Sequence, residues 1–212
     1  MQIQDCIIRG VKRGVARKLH YSKDLLKIKP EYLLTVAVAD AVAEGFDGVN
    51  GIDVEVKLEE ETGRITRELV SYPLGSKGWV AAPRHSVKRK GKIDIFINTD
   101  ATCWLIEVKG MNPSSRSIQA DIERIEELLL ANPGQNRCGG GYVAFPTSKE
   151  RVDFLERKFC RSIRKRGICC EVMSERMETG EAPEDGIPVV FVNCIILKRC
   201  TAQQGACCRA GA

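Results

Sequence analysis

The sequence predicts an α/β protein in which helices flank a central mixed β-sheet, and three observations support this. Residues 31–46 are apolar on most sides at helical spacing, which indicates a buried helix. Residues 92–110 contain two runs rich in Ile, Phe and Val around a turn-forming triplet, which indicates two short strands. Residues 117–131 form an amphipathic helical pattern, and the apolar run 141–145 after them predicts a strand. A helix between two strands normally joins parallel neighbours, so the sheet should be mixed.

The remaining segments complete this pattern. Polar and apolar residues alternate between 51 and 70, which predicts a strand, a turn at 61–63 and a second strand. The other predicted elements are, in chain order, a connector at 132–141, a helix at 148–166, a strand at 168–173, an exposed acidic loop at 173–186 and a strand at 187–197.

The 212 residues are enough for one domain with a full core, and we assign residues 1–200 to it. Residues 1–29 are basic and carry a partial helical stripe, so we expect a basic N-terminal extension that either packs on the core and presents its charges to phosphates or forms a solvated helix face. Residues 201–212 have no periodicity and predict a disordered tail. The formal net charge of +5 permits a polyanionic partner without requiring one.

Composition excludes several classes of protein. No apolar run approaches the roughly 20 residues of a membrane span, and the N-terminus lacks the order of a secretory signal. The ten cysteines contain no C-x-x-C pair and only two histidines accompany them, so no zinc site is readable. The adjacent pairs 169–170 and 207–208 are poorly suited to disulfides, and Cys103 and Cys194 predict buried thiols. We therefore expect a cytoplasmic protein with no membrane association.

The stretch 92–110 carries the chemistry that stands out. It predicts a β-hairpin whose turn lies at 98–100. In the first strand the isoleucines share one face and Asp94 lies on the other, and in the second strand Glu107 and Lys109 share a face. If the two polar faces coincide, two carboxylates and one ammonium converge near one end of the hairpin.

That convergence suits metal-dependent hydrolysis of a phosphodiester. Two close carboxylates repel, and one takes up a proton unless a cation lies between them. Mg²⁺ needs only one or two protein carboxylates when water and a substrate phosphate supply the other ligands. A nearby Lys can orient or deprotonate a water, or stabilise charge on the phosphate.

A plainer interpretation stands beside this one. A Glu-x-Lys tripeptide in a strand is common, and an exposed cross-strand Asp–Lys pair is usually a solvated surface feature. The chain contains a second copy at 55–57. The copy at 107–109 is favoured by the apolar faces opposite its charges and by the basic segment that precedes the hairpin.

Asp94, followed after twelve residues by Glu107-Val108-Lys109 on the next strand, resembles the PD-(D/E)XK nuclease superfamily. That superfamily includes restriction endonucleases, Holliday-junction resolvases and transposon end-cleaving nucleases. The resemblance is at the level of the motif and spans roughly residues 30 to 146. Ile93 stands where the pattern that names the superfamily has Pro, and many members depart from it there.

The resemblance implies a restriction endonuclease-like αβββαβ core with a central mixed sheet flanked by helices. It implies that Asp94 and Glu107 bind Mg²⁺, or Mn²⁺ in its place, and that the Val108 carbonyl adds a ligand. Lys109 would then serve the attacking water, so Asp94, Glu107 and Lys109 are the candidate catalytic residues. Several subfamilies place a further metal-binding Glu on the first helix, where Glu31 is the match; alternatively, Glu31 only favours the helix dipole.

Two further sets of residues complete the candidate site. The helix after the Glu-x-Lys strand often brings a polar residue to the site in this superfamily, so Gln119 is an accessory candidate, with a solvated position as the other interpretation. The basic residues before and at the start of the hairpin are candidates for holding a nucleic-acid backbone: Arg84, Lys88, Arg89, Lys90 and Lys92. The cationic outer surface of the helix around 157–166 could add to this grip.

We therefore expect a Mg²⁺-dependent deoxyribonuclease, most simply an endonuclease, with DNA as its partner. The alternatives are a non-catalytic module that binds nucleic acid or protein on a nuclease-like fold, and a hydrolase of small phosphorylated molecules. The sequence leaves open a homodimer and a protein partner or activator.

Overall fold

The computed structural model describes residues 2–22, 31–46, 54–65, 91–99, 102–130, 138–164, 167–180 and 187–200. The helices are α1 (Ile3–Ser22), α2 (Glu31–Phe46), α3 (Ser115–Leu130) and α4, which runs through 152–164 with a π-helical turn at Glu156–Cys160. The strands are β1 (Glu55–Glu61), β2 (Lys92–Asn98), β3 (Cys103–Val108), β4 (Cys138–Thr147), β5 (Ile168–Glu178) and β6 (Val189–Arg199).

The six strands form one mixed sheet in the spatial order β1-β2-β3-β4-β6-β5. β1, β2 and β3 are antiparallel, β3 is parallel to β4 with α3 between them in the chain, and β6 is antiparallel to both β4 and β5. The predicted mixed sheet with flanking helices is therefore confirmed. The parallel β3–β4 pair follows from its long connection, because a short turn can join only antiparallel neighbours.

Side chains that alternate along the strands divide the core into two layers. On one face, Phe96 of β2 and Leu105 of β3 pack against α3 and α4. On the other face, Ile95 and Ile106 pack against α1 and α2. Each pair sits in register across the β2–β3 ladder, so the faces of the two strands coincide.

α1 packs on the core, which is one of the two alternatives expected for its basic sequence. Val11 and Val15 are buried, and a Cβ on Gly10 would lie 2.5 Å from the Cα of Val38, so α1 and α2 are in close backbone contact. Several of its basic residues are engaged within the protein: Arg13 forms a bidentate ion pair with Glu44 at 2.7 and 2.9 Å. Residues 23–29 and 201–212 lie outside the described residues.

The chain leaves β1 within the turn predicted at 61–63, but it does so as a helical turn. β1 continues to Glu61, which pairs with Lys92, and residues 62–65 are helical. The ladder with β2 therefore includes only the first residue of the predicted turn, and the chain leaves the strand at 62. The second strand predicted before residue 70 is replaced by this helical turn as far as Ile65, which is fully buried, and residues 66–70 lie outside the described residues.

Two strands are longer than predicted. β4 begins at Cys138 and includes three glycines that we assigned to a connector. A Cβ on Gly141 would overlap the Cγ2 of Ile125 on α3, so these glycines are strand residues that admit a close helix. β5 continues to Glu178, where Met177 pairs with Val190, so the loop predicted from 173 is wrong for residues 173–178.

The cysteines are partly as expected. Cys103 and Cys194 are buried, as predicted. Cys170, however, forms a disulfide with Cys160 of the π-helical turn, which corrects the expectation for the pair 169–170. Neighbouring residues of a strand point to opposite faces, so Cys170 reaches α4 while the sulfur of Cys169 lies 2.8 Å from that of Cys200. Separately, no helix among the described residues is long and apolar enough to cross a membrane.

Candidate active site

Asp94 and Glu107 converge, because the two polar faces of the hairpin coincide, a point that the sequence left open. Phe96 pairs with Leu105, which places Asp94 and Glu107 on the same face at the end of the β2–β3 ladder, beneath α3. The Oδ2 of Asp94 accepts a hydrogen bond of 2.8 Å from the backbone N–H of Val108. This bond ties the Asp94 carboxylate to the strand that carries Glu107, so the two acids are held by one hairpin.

Glu107 is an almost fully buried carboxyl group, 1% exposed. Its Oε1 accepts a hydrogen bond from the Nη1 of Arg124 on α3. Burial is the main cause that raises the pKa of Glu107 from 4.5 to about 9; the charges of Asp94 and Asp121 raise it further, and Arg124 opposes the change. Without an added cation, Glu107 therefore holds a proton at neutral pH.

Lys109 turns toward the same cluster, with its ammonium 3.2 Å from the Oδ2 of Asp121 on α3. Burial acts to lower the pKa of Lys109, but the carboxylates of Asp121, Asp94 and Glu107 together outweigh it, and the pKa is raised. Burial likewise raises the pKa of Asp121, against the opposing charges of Lys109 and Arg124. Lys109 is thus a charged ammonium positioned by Asp121, suited to donating hydrogen bonds to a water or a phosphate oxygen.

Arg124 completes the cluster. Its Nη1 contacts the Oε1 of Glu107, lies 3.5 Å from the Oδ1 of Asp121 and donates to the backbone carbonyl of Lys92 at 3.3 Å. Three carboxylates and two cations therefore meet at the ends of β2 and β3 and the middle of α3. When all five side chains are ionised, one negative charge is uncompensated.

Asp121 and Arg124 were not chosen by the sequence analysis. They are three residues apart on α3 and border the apolar stripe that includes Ile122 and Ile125. A helical pattern that separates only buried from exposed positions therefore assigns them to neither class. Asp121 is buried although it is charged, which its sequence position alone does not indicate. The available signal was the i, i+3 spacing of an acid and a base beside that stripe.

Gln119, the accessory candidate on this helix, forms its side-chain hydrogen bond outside the cluster. Its side-chain amide donates a hydrogen bond of 2.8 Å to Glu123 one turn later. It precedes Asp121 by two residues, which is about 200° around a helix of 3.6 residues per turn. Its accessory role stays a prediction.

Glu31 is exposed at the first position of α2, the helix layer that packs on the sheet face opposite Asp94 and Glu107. Among the described residues, no group of three or more His, Cys, Asp or Glu side chains is arranged to hold a metal ion. The structure therefore does not join Glu31 to the two acids, and the Val108 carbonyl stays a predicted ligand.

The rival Glu-x-Lys copy has a different setting. It lies on the edge strand β1, where Lys57 pairs with Glu55 at 3.0 Å and the Glu55 side chain is 59% exposed. The Glu of this copy is therefore solvated, in contrast to the buried Glu107, while Lys57 is 17% exposed.

The candidate nucleic-acid contacts are only partly described. Arg84, Lys88, Arg89 and Lys90 lie outside the described residues, and the exposed Lys92 pairs with Glu59 at 3.0 Å. On α4, four exposed basic residues lie on the layer that also contains α3: Arg157, Lys158, Arg161 and Arg164.

Two carboxylate oxygens are available to a cation. Within the described residues, the Oδ1 of Asp94 and the Oε2 of Glu107 form no hydrogen bond. Burial and the charge of Asp94 both raise the pKa of Glu107. A hard divalent ion bound between the two carboxylates would offset their repulsion. Two protein carboxylates, with water and phosphate as the remaining ligands, fit Mg²⁺.

Comparisons of the chain with protein-family models, curated proteins and solved structures find no significant match. The chemistry of this cluster and the order of the elements that carry it are therefore the observations that bear on function.

Proposed function

We propose that this protein is a Mg²⁺-dependent nuclease of the PD-(D/E)XK type that hydrolyses phosphodiester bonds in DNA. The observation that carries the proposal is the convergence of Asp94, Glu107 and Lys109 on one face of a hairpin, with Glu107 buried and its pKa raised to about 9. Strongly perturbed acids beside a cation, at the end of a strand pair, are typical of catalytic sites.

The order of elements supports a restriction endonuclease-like αβββαβ core. α2, β1, β2, β3, α3 and β4 follow one another in the chain, and the sheet that they build is mixed. The candidate residues lie on the second and third strands of that series, where the resemblance requires the Asp and the Glu-x-Lys.

Each residue has a proposed role. The free oxygens of Asp94 and Glu107 hold Mg²⁺, or Mn²⁺ in its place, with the Val108 carbonyl as a further ligand. The bound ion would neutralise the two acids and polarise the phosphodiester. Lys109, held by Asp121 at 3.2 Å, orients the attacking water and stabilises charge on the phosphate. We leave Glu31 out of the ligand set because α2 packs on the other sheet face.

The DNA backbone would be held by the cationic residues around this site. Lys88, Arg89 and Lys90 directly precede Gly91 and β2 in the chain, and Arg84 lies shortly before them. Contacts of this kind position a phosphate backbone without reading its sequence, so they predict salt-sensitive binding with little base preference.

The proposal is tested by incubating the wild type and Glu107→Ala with linear, supercoiled and single-stranded DNA in Mg²⁺, Mn²⁺ or EDTA. Cleavage by the wild type alone, and only with metal, is the expected result. Lys109→Ala should lose cleavage and keep DNA binding. Cleavage that persists in Glu107→Ala or in EDTA would refute the assigned site.

The alternative is a binding module on a nuclease-like fold that does not cut. It is favoured by the ion pairs of Lys109 with Asp121 and of Arg124 with Glu107, since such a network can serve stability alone. Tight, salt-sensitive DNA binding by the wild type without cleavage in any metal would select this alternative.

A further inference from the structure

Within the described part of the chain, Arg124 forms all its hydrogen bonds and ion pairs through a single nitrogen. Nη1 meets the Oε1 of Glu107, the Oδ1 of Asp121 and the carbonyl of Lys92. Arginine that serves only as a counter-ion usually pairs with a carboxylate through two parallel N–H groups. The grip on Glu107 is therefore one that a lysine could also provide.

The other donors of the guanidinium are unpaired. Nε is buried and has no hydrogen-bond partner, and Nη2 forms no hydrogen bond within the described part of the chain. A buried donor without an acceptor is costly, because it has given up water and gained nothing in return. Nε and Nη2 lie on the same edge of the guanidinium, with parallel N–H groups that match two oxygens of one phosphate.

Gly91 borders that edge. A Cβ at Gly91 would lie 3.6 Å from Nε and 3.9 Å from Nη2 of Arg124, so any other residue would set a side chain against these donors. Gly91 is exposed, and the guanidinium-bearing side chain of Arg124 is 23% exposed, so the edge lies close to solvent. In the sequence, Gly91 directly follows the basic run that ends at Lys90.

We infer that Arg124 binds a backbone phosphate of the nucleic-acid substrate through its Nε and Nη2, while Nη1 stays with Glu107. The inference deepens the proposed function and rests on it for the identity of the substrate. It adds a residue of α3 that contacts the substrate, next to the start of β2.

The test exploits the single-nitrogen grip. Arg124→Lys retains a cation for Glu107 but lacks the two-donor edge, whereas Arg116→Lys makes the same exchange at an exposed position of the same helix. Binding of a short fluorescein-labelled DNA duplex is measured by anisotropy in EDTA, where no cleavage occurs. We expect Arg124→Lys to weaken binding about tenfold, as for the loss of one charge-assisted two-donor contact, with Arg116→Lys unchanged.

A second measurement uses the unaltered protein. The Nε–H resonance of Arg124, assigned by its loss in Arg124→Lys, should shift downfield when the same duplex is added, because a hydrogen bond to phosphate forms there. Equal DNA affinity of Arg124→Lys and wild type, an unshifted Nε–H at saturating duplex, or no binding by the wild type would each overturn the inference.

These outcomes separate the inference from the proposed function. A wild type that cleaves DNA with metal but shows an unshifted Arg124 Nε–H refutes the inference and leaves the nuclease standing. A wild type that binds through Arg124 without cleaving in any metal supports the inference for the phosphate backbone and refutes the nuclease.

Discussion

The ammonium of Lys109, at the end of β3, lies 3.2 Å from the Oδ2 of Asp121 in α3. This ion pair joins a strand that carries the candidate acids to the helix that covers them. Both side chains are largely buried, at 16% and 4% exposed, so water screens the interaction little. The position of Lys109 beside Glu107 is thus set by a residue that lies in another element.

Asp121→Asn should therefore release Lys109 from its present position. We expect cleavage to fall at least about tenfold, since small displacements of catalytic groups have large effects on rate. DNA affinity should change little, and the free energy of unfolding should drop by about 1–3 kcal/mol because a buried charge loses its partner. Single-turnover cleavage and urea denaturation measure the two effects. Glu123→Gln, two residues away on the same helix, is the matched control, and equal rates in both variants would contradict this role.

The stability of the metal-free protein should decrease as pH rises. The pKa of Glu107 is about 9 in the folded protein, against an ordinary value of 4.5, so between these values the folded state holds a proton that the unfolded chain has lost. Its contribution is fully present below the lower value and is lost as pH rises through the upper one, with a slope of at most about 1.4 kcal/mol per pH unit. The raised pKa of Asp121 acts in the same direction.

Urea denaturation in EDTA between about pH 5 and about pH 9 measures this slope. Glu107→Gln should flatten it and should be more stable than the wild type at the alkaline end. Glu171→Gln, at an exposed position of β5, should keep the wild-type slope. A slope that is the same in Glu107→Gln and the wild type would show that Glu107 does not titrate in this range.

Mg²⁺ should stabilise the folded protein through Asp94 and Glu107. A ligand at a hundredfold excess over its dissociation constant adds about 2.7 kcal/mol to the free energy of unfolding. Asp94→Asn and Glu107→Gln should lose this gain. Glu31→Gln should keep it, because α2 packs on the other face of the sheet. Melting temperatures with and without Mg²⁺ provide the comparison, and an unchanged Mg²⁺ response in Asp94→Asn would remove that residue from the ligand set.

Gly141 should be required for the position of α3. An added Cβ would overlap the Cγ2 of Ile125, so Gly141→Ala should cost about 1–3 kcal/mol, as overpacked cores do. Gly63→Ala, where no atom lies within 4 Å of the added Cβ, should be neutral or slightly stabilising. In an Ile125→Ala background the cost of Gly141→Ala should shrink, and a cost that stays the same in the double variant would locate the strain elsewhere.

The hairpin is the part of the site that sequence patterns predict well. Residues alternate between the two faces of a strand and a short turn forces antiparallel pairing, but whether the faces of Asp94 and Glu107 coincide depends on the register, which the pairing of Asn98 with Cys103 shows. The buried helix α2, the parallel β3–β4 pair and the buried thiols of Cys103 and Cys194 follow from equally local signals.

Other features depend on partners distant in the sequence. The loop predicted from 173 gives way over residues 173–178 to a ladder with β6. Cys160 and Cys170 meet because α4 packs over β5. In each case a long-range pairing offsets a local preference that is worth only about 1 kcal/mol or less per residue.

The sequence by itself determined the α/β class, the hairpin and the shared strand face of Glu107 and Lys109, because periods of 2 and 3.6 residues are local properties of the chain. The register of the two strands, which brings Asp94 to that face, was decided by the folded structure. Only the tertiary structure decided that Asp121 and Arg124 join these three residues. Their place depends on how closely α3 approaches the sheet, which the missing side chain of Gly141 permits. Burial of Glu107, which raises its pKa, was likewise decided by the tertiary structure. Packing distance and desolvation arise between elements, and no spacing within one element records them.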